Sequence, residues 1–180
     1  NALAAQNFTS STNTFNTAVG ENSGLAMTTG TENALFGGRA GLALTDADYN
    51  VAIGKSALST DTLGSRSTAV GYSALATQNF TTATETNNTA VGYGAGSGVT
   101  TGMNNTLIGT GVGDAITTGV QNSFLGSYAG TGITTGGNNV GIGYAALADE
   151  DAHGKNVAIG TQALTTQTVS YTHLTLPTTD

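Results

Sequence analysis

The 180 residues include no cysteine, so neither a disulfide framework nor a thiolate metal site is available. Charge is scarce too. Asp, Glu, Lys and Arg make up 8% of the chain, against roughly 25% in an ordinary globular domain. The deficit is one-sided: four basic residues stand against eleven acidic ones, a net charge of −7. Without a basic patch there is nothing to neutralise phosphate, which argues against a nucleic-acid partner. No run of 18 apolar residues occurs, so no helix is expected to span a bilayer. The only histidines are His153 and His173, and neither a Ser/His/Asp set nor a carboxylate pair recurs. Yet 38% of residues are apolar, which sets the chain apart from disordered sequences of high net charge and few apolar groups. It opens at Asn1 in the middle of a repeat and reads as a fragment of something longer.

What the sequence has is a five-residue phrase, Asn-x-Ala-Val/Ile-Gly, that returns nine times. It occupies 16–20, 33–37, 50–54, 67–71, 88–92, 105–109, 122–126, 139–143 and 156–160, with Ser67 replacing the asparagine once. Its closing glycines are 17 residues apart except from Gly71 to Gly92, where the interval is 21. A fixed period of this kind implies stacked units that bury their apolar faces on one another. Residues 2–9 recur almost unchanged at 74–81, an offset of 72, so the long coil is expected to be repeated and its four extra residues to form a loop at one corner. Insertions in such repeats usually map to one face, often the binding face.

Each phrase is expected to be a strand. Its fourth residue is always large and apolar (Val19, Phe36, Ile53, Val70, Val91, Ile108, Leu125, Ile142, Ile159), and its third is mostly apolar as well (Ala18, Leu35, Ala52, Ala69, Ala90, Leu107, Phe124, Gly141, Ala158). A strand apolar on both faces is buried on both. One face can line the coil interior and the other needs a partner. The sequence reading puts the fourth positions inside and the third positions at a contact between chains. On that assignment Ile108→Asp unfolds the rod, while Asp149→Ala is nearly silent.

Further along the coil a second strand is expected, with a slot filled in one of two ways. Glycine in the slot is followed three residues later by an apolar residue: Gly24 with Met27, Gly41 with Leu44, Gly96 with Val99, Gly113 with Ile116, Gly130 with Ile133. Leucine is followed by a polar one: Leu3 with Gln6, Leu58 with Asp61, Leu75 with Gln78, Leu147 with Glu150, Leu164 with Gln167. One large side chain per coil then fills one space, as a core without voids requires. Thr-Thr-Gly closes four coils at Gly30, Gly102, Gly119 and Gly136, where glycine is expected to supply a positive-φ corner. Stacking at ~4.8 Å turns the asparagines into a ladder of amides. About ten coils would make a rod on the order of 45 Å long.

Other motifs read blandly. The glycine pairs at 92–96 and 109–113 complete no G-x-G-x-x-G and lead to no Walker lysine. Asp149-Glu150-Asp151 with His153 is the one acidic cluster and reads as a solvated turn rather than a cation site. No catalytic, cofactor-binding or metal-binding residue is assigned. Threonine ranks at coil spacing leave an ice-binding solenoid as a third reading. After Thr168 the pattern fails, and 169–179 resembles a tract at broken ends of environmental shotgun-sequence proteins that looks like translated adapter. The chain therefore divides into a repeat region, 1–168, and a tail, 169–180, read as a sequence artefact, the alternative being a genuine exit from the solenoid.

Asn50 to Gly54 and Asn156 to Gly160 resemble the head repeats of trimeric autotransporter adhesins, the YadA-like heads. Asn88 to Gly96 looks still more like repeats in bacteriophage tail fibres. The resemblance covers residues 1–168. It implies an all-β, parallel β-solenoid or β-roll in a homotrimer, without enzymatic activity or cofactor. It also implies a place in a virion tail fibre or on a bacterial surface, and attachment to a cell-surface glycan or protein receptor. The runner-up is an autotransporter head binding matrix or host glycans. The period is longer than in the usual autotransporter head, and the chain contains no neck, coiled-coil stalk or anchor.

Overall fold

The structure, a computed structural model, describes residues 1–6, 13–149 and 153–165. Each phrase gives one three-residue strand: β1 (Thr17–Val19), β2 (Ala34–Phe36), β3 (Val51–Ile53), β5 (Thr68–Val70), β7 (Thr89–Val91), β8 (Thr106–Ile108), β9 (Ser123–Leu125), β10 (Val140–Ile142) and β11 (Val157–Ile159). They form one parallel sheet in the order β1-β2-β3-β5-β7-β8-β9-β10-β11. Register follows the period, so Ala18 faces Leu35 and Leu107 faces Phe124. Two further strands, β4 (Gly64–Ser65) and β6 (Thr84–Glu85), pair beside the long coil. The described chain is all-β, a parallel β-solenoid of about eight turns. The 168/169 boundary, the tail, and most of the expected first copy of the insertion lie outside the described residues.

The expected inside and outside of the strand are reversed. Ala52, Ala69, Ala90 and Leu107, all third positions, are fully buried, as is Leu35, and Phe124 is nearly so. The fourth positions point outward. Alternation explains why: the first and third residues of the phrase share a face, and the first is the buried asparagine just before the strand. Burying a Leu or Phe contributes roughly 1.5–3 kcal/mol, so Leu35, Leu107 and Phe124 hold the core on this side.

The expected second strand is a turn. Its slot residue takes the left-handed conformation whether glycine or leucine, with φ of 58° at Gly24 and 57° at Gly41 against 50° at Leu58 and 49° at Leu75. For a leucine that conformation costs roughly 1–2 kcal/mol, a debt its burial offsets. A side chain on Gly41 would sit 2.9 Å from Leu35 and Leu44 carbons, and one on Gly113 would sit 2.8 Å from Ile116 and 3.0 Å from Leu107. The slot therefore shares its volume with the strand. Leu58, Leu75, Leu147 and Leu164 follow Ala52, Ala69, Gly141 and Ala158, whereas Leu35, Leu107 and Phe124 are followed by glycine.

Two sets of glycines are fixed by stacking. A Cβ on Gly20, Gly37, Gly54, Gly71, Gly92, Gly109, Gly126 or Gly143 would lie 2.6 or 2.7 Å from the carbonyl carbon of the next phrase glycine. The Thr-Thr-Gly glycines do not have the expected positive φ at Gly30, Gly102 or Gly119. They are required because a Cβ would run into the carbonyl of Ala47, Gly119 or Gly136 in the next coil.

Candidate functional site

The asparagine ladder runs through the interior as expected. Asn122 shows the unit: its backbone N–H donates to Asn105 Oδ1 at 3.0 Å, and its Nδ2 donates to the same oxygen at 3.1 Å and to Gly136 O at 2.9 Å. Asn139 repeats this on Asn122 and donates onward to His153 O. From Asn33 to Asn139 the buried ladder amides are satisfied along the axis, where water is excluded, whereas Nδ2 of Asn156 at the end of the ladder finds no partner among the described residues.

Ser67 interrupts the ladder, and a residue not anticipated from the sequence bridges the gap. Gln78, fully buried, donates from Nε2 to Ser67 Oγ at 2.8 Å and to Asp61 Oδ2 at 2.6 Å. Its Oε1 accepts from Asn88 Nδ2 at 2.8 Å. The glutamine amide thus stands in for the missing asparagine. Buried Asp61 also accepts from the Gly64 and Phe80 backbone N–H groups. This cluster is structural: every member is sealed inside the coil.

The outer face of the sheet is the most extended feature open to a partner. The nine strands present two outward positions each, and none of these residues is charged. Val19, Phe36, Ile53, Ile108, Leu125, Ile142 and Ile159 are 38% to 68% exposed, and Val70 and Val91 are half-buried. Exposed tyrosines stand one or two residues past four of the phrase glycines, as Tyr72, Tyr93, Tyr128 and Tyr144. Tyr72 stacks on Tyr93 at 5.2 Å with the rings 10° apart, and Tyr128 meets Tyr144 edge-on at 6.0 Å. With strands ~4.8 Å apart, the column is roughly 40 Å tall. Contiguous apolar surface on this scale marks an interaction site.

The remaining sequence candidates are dispersed. Asp149 and His153 are exposed, and Glu150 and Asp151 lie outside the described residues. Among the described residues no group of three or more His, Cys, Asp or Glu is placed to hold a metal ion, and no helix is long and apolar enough to cross a membrane. In the threonine ranks the first hydroxyl turns along the stack, as from Thr100 to Thr117 O at 2.9 Å and from Thr117 to Thr134 O at 3.1 Å. Exposed Thr101, Thr118 and Thr135 make a row of three, separated from Thr29 by Asp46, Leu63 and Phe80. No protein-family model, curated protein or solved structure matches the chain.

Proposed function

We propose that the chain is a structural and adhesive segment, not an enzyme. In this reading it assembles side by side with two further copies in a viral tail fibre or comparable surface appendage and contributes to attachment to a host or surface. The observation that carries the reading is the uncharged apolar column along all nine strands of an acidic chain. A solitary rod gains nothing from showing water a valine, isoleucine, leucine or phenylalanine at every turn. Three parallel rods meeting on these columns bury them and bring no like charges together. The number three comes from the resemblance to trimeric heads and fibres. An autotransporter head would use the same seam.

Sedimentation equilibrium of the 180-residue chain tests the assembly. The expected mass is three times 17.8 kDa, and a well-folded monomer at micromolar concentration overturns the seam. Attachment is tested by adding purified chain to host cells as a competitor, with reduced adsorption of the parent particle expected. Adsorption unchanged at saturating trimer counts against an adhesive role.

A further inference from the structure

Among the described residues, the place where the coil departs from its period also has a cavity. The extra residues of the long coil fall between Phe80, whose carbonyl accepts from the Leu63 N–H, and Thr84, whose N–H donates to the Leu63 carbonyl and which opens β6, where Ser65 lies opposite Glu85. The space left is about 290 Å³ and is lined by Asp48–Tyr49, Ser65–Arg66 and Ala83–Glu85. Ligand pockets usually begin near ~300 Å³, so it suits a single ring rather than an extended chain.

Its chemistry is unlike the rest of the rod. Tyr49 and Arg66 occupy the same place in successive coils, just before the first phrase residue, with φ of 60° and 64°. That conformation sends both side chains to one edge. The Arg66 guanidinium lies 5.7 Å from the Tyr49 ring centre and is held by Glu85 at 2.9 Å. Asp48 is anchored through Oδ1, which accepts from the Thr31 N–H at 2.7 Å and its hydroxyl at 2.9 Å. Ser65 Oγ accepts from the Asp48 N–H and keeps its own proton to donate. A half-exposed aromatic ring thus stands beside a guanidinium fork, two carboxylates and a hydroxyl.

We propose that this cavity binds the terminal sugar of a surface glycan, a neutral pyranose. The C–H face of such a ring packs on tyrosine, and its vicinal hydroxyls both donate to carboxylates and accept from a guanidinium. One cation against two carboxylates leaves the site with a net charge of about −1, in a chain of −7. A uronic acid, a sialic acid or a phosphate is repelled. The proposal rests on the attachment reading and gives it a ligand class and a place.

The test uses the full chain and the methyl glycosides of galactose, glucose and mannose, followed by saturation-transfer NMR and titration, with methyl glucuronide as the acidic control. Expected is millimolar or tighter binding of at least one neutral glycoside, with none of the glucuronide. Tyr49→Asn should weaken it tenfold or more, and so should Glu85→Gln. Asparagine suits the conformation, since Asn87, Asn104 and Asn138 take it at the same place in other coils. Binding of none of the neutral glycosides overturns the proposal, as does preference for the glucuronide or affinity unchanged in both variants. Sedimentation of the same samples keeps the two readings apart. A trimer that binds no glycoside loses only the sugar site, and a monomer that binds one loses only the seam. For a positive site, glycan-coated beads against free glycoside distinguish a surface ligand from a soluble one.

Discussion

The two coils of residues 105–138 and the coils around the insertion fill the same interior by opposite means. In the regular coils Leu107, Ile116, Phe124 and Ile133 are buried beside the uninterrupted amides of Asn105, Asn122 and Asn139. Around the insertion the strand residues shrink to Ala52 and Ala69, leucine moves into the slot, and the third residue after it becomes Asp61 or Gln78. Both arrangements close the core. The difference shows that a dry interior excludes unsatisfied polar groups rather than polar groups as such.

That contrast can be broken at its strongest point. Leu107→Asp puts into the regular core the same side chain that Asp61 places beside the insertion, but without three donors to meet it. It should cost upwards of about 4 kcal/mol and abolish cooperative melting by circular dichroism; a mutant melting near the parent would refute the account of the core. Next in size is Gly126→Ala. Its φ of 138° and a Cβ 2.6 Å from the Gly143 carbonyl carbon should cost about 3 kcal/mol, seen as a lower denaturation midpoint. Asp61→Ala sharpens the other side. Although it makes the core more apolar, it leaves the Gly64 and Phe80 N–H groups without this acceptor and should destabilise by about 2–3 kcal/mol.

Ile108→Asp, one residue from the first substitution, should leave the fold of a single rod intact and abolish self-association. This outcome, read by sedimentation, replaces the unfolding expected from the sequence. The smallest effect belongs to Asp114, whose carboxyl burial pushes above its ordinary value, while the backbone N–H groups of Asp114 and Ala115 pull it the other way. A raised folded-state value gives stability that is full below the unfolded value, about 3.9, and lost as pH rises through the folded one. Asp114 is exposed to solvent, which screens the effect, so Asp114→Asn should raise Tm by no more than about 1 °C at neutral pH and leave it unchanged near pH 3.

The period, the parallel stacking and the asparagine ladder were legible because equivalent residues recur at fixed spacing. The inner face of the strand was misread because both faces are apolar and alternation alone does not orient it. Two signals in the sequence do. The buried asparagine shares its face with the third position, and a large third residue (Leu35, Leu107, Phe124) occurs only where the slot is glycine, although Ala18 and Ala90 also precede glycine, at Gly24 and Gly96. Gln78 was not legible as a ladder residue, since ten residues separate it from Asn88 and only the folded coil brings their amides to 2.8 Å. The insertion marked where the rod is irregular, but not that Tyr49 and Arg66 would meet beside it.

The stacking also bears on how such a rod carries load. One turn adds ~4.8 Å to its length yet stores 17 residues, on the order of 58 Å of chain when drawn straight. Tension applied through the two termini would peel turns from the ends, each lengthening the tether more than tenfold over the height it gave up. The 21-residue turn would release a further stretch of roughly 14 Å. An attachment built from these coils yields in steps under sudden pull, and lateral contact along the apolar column would set the force at which each step begins.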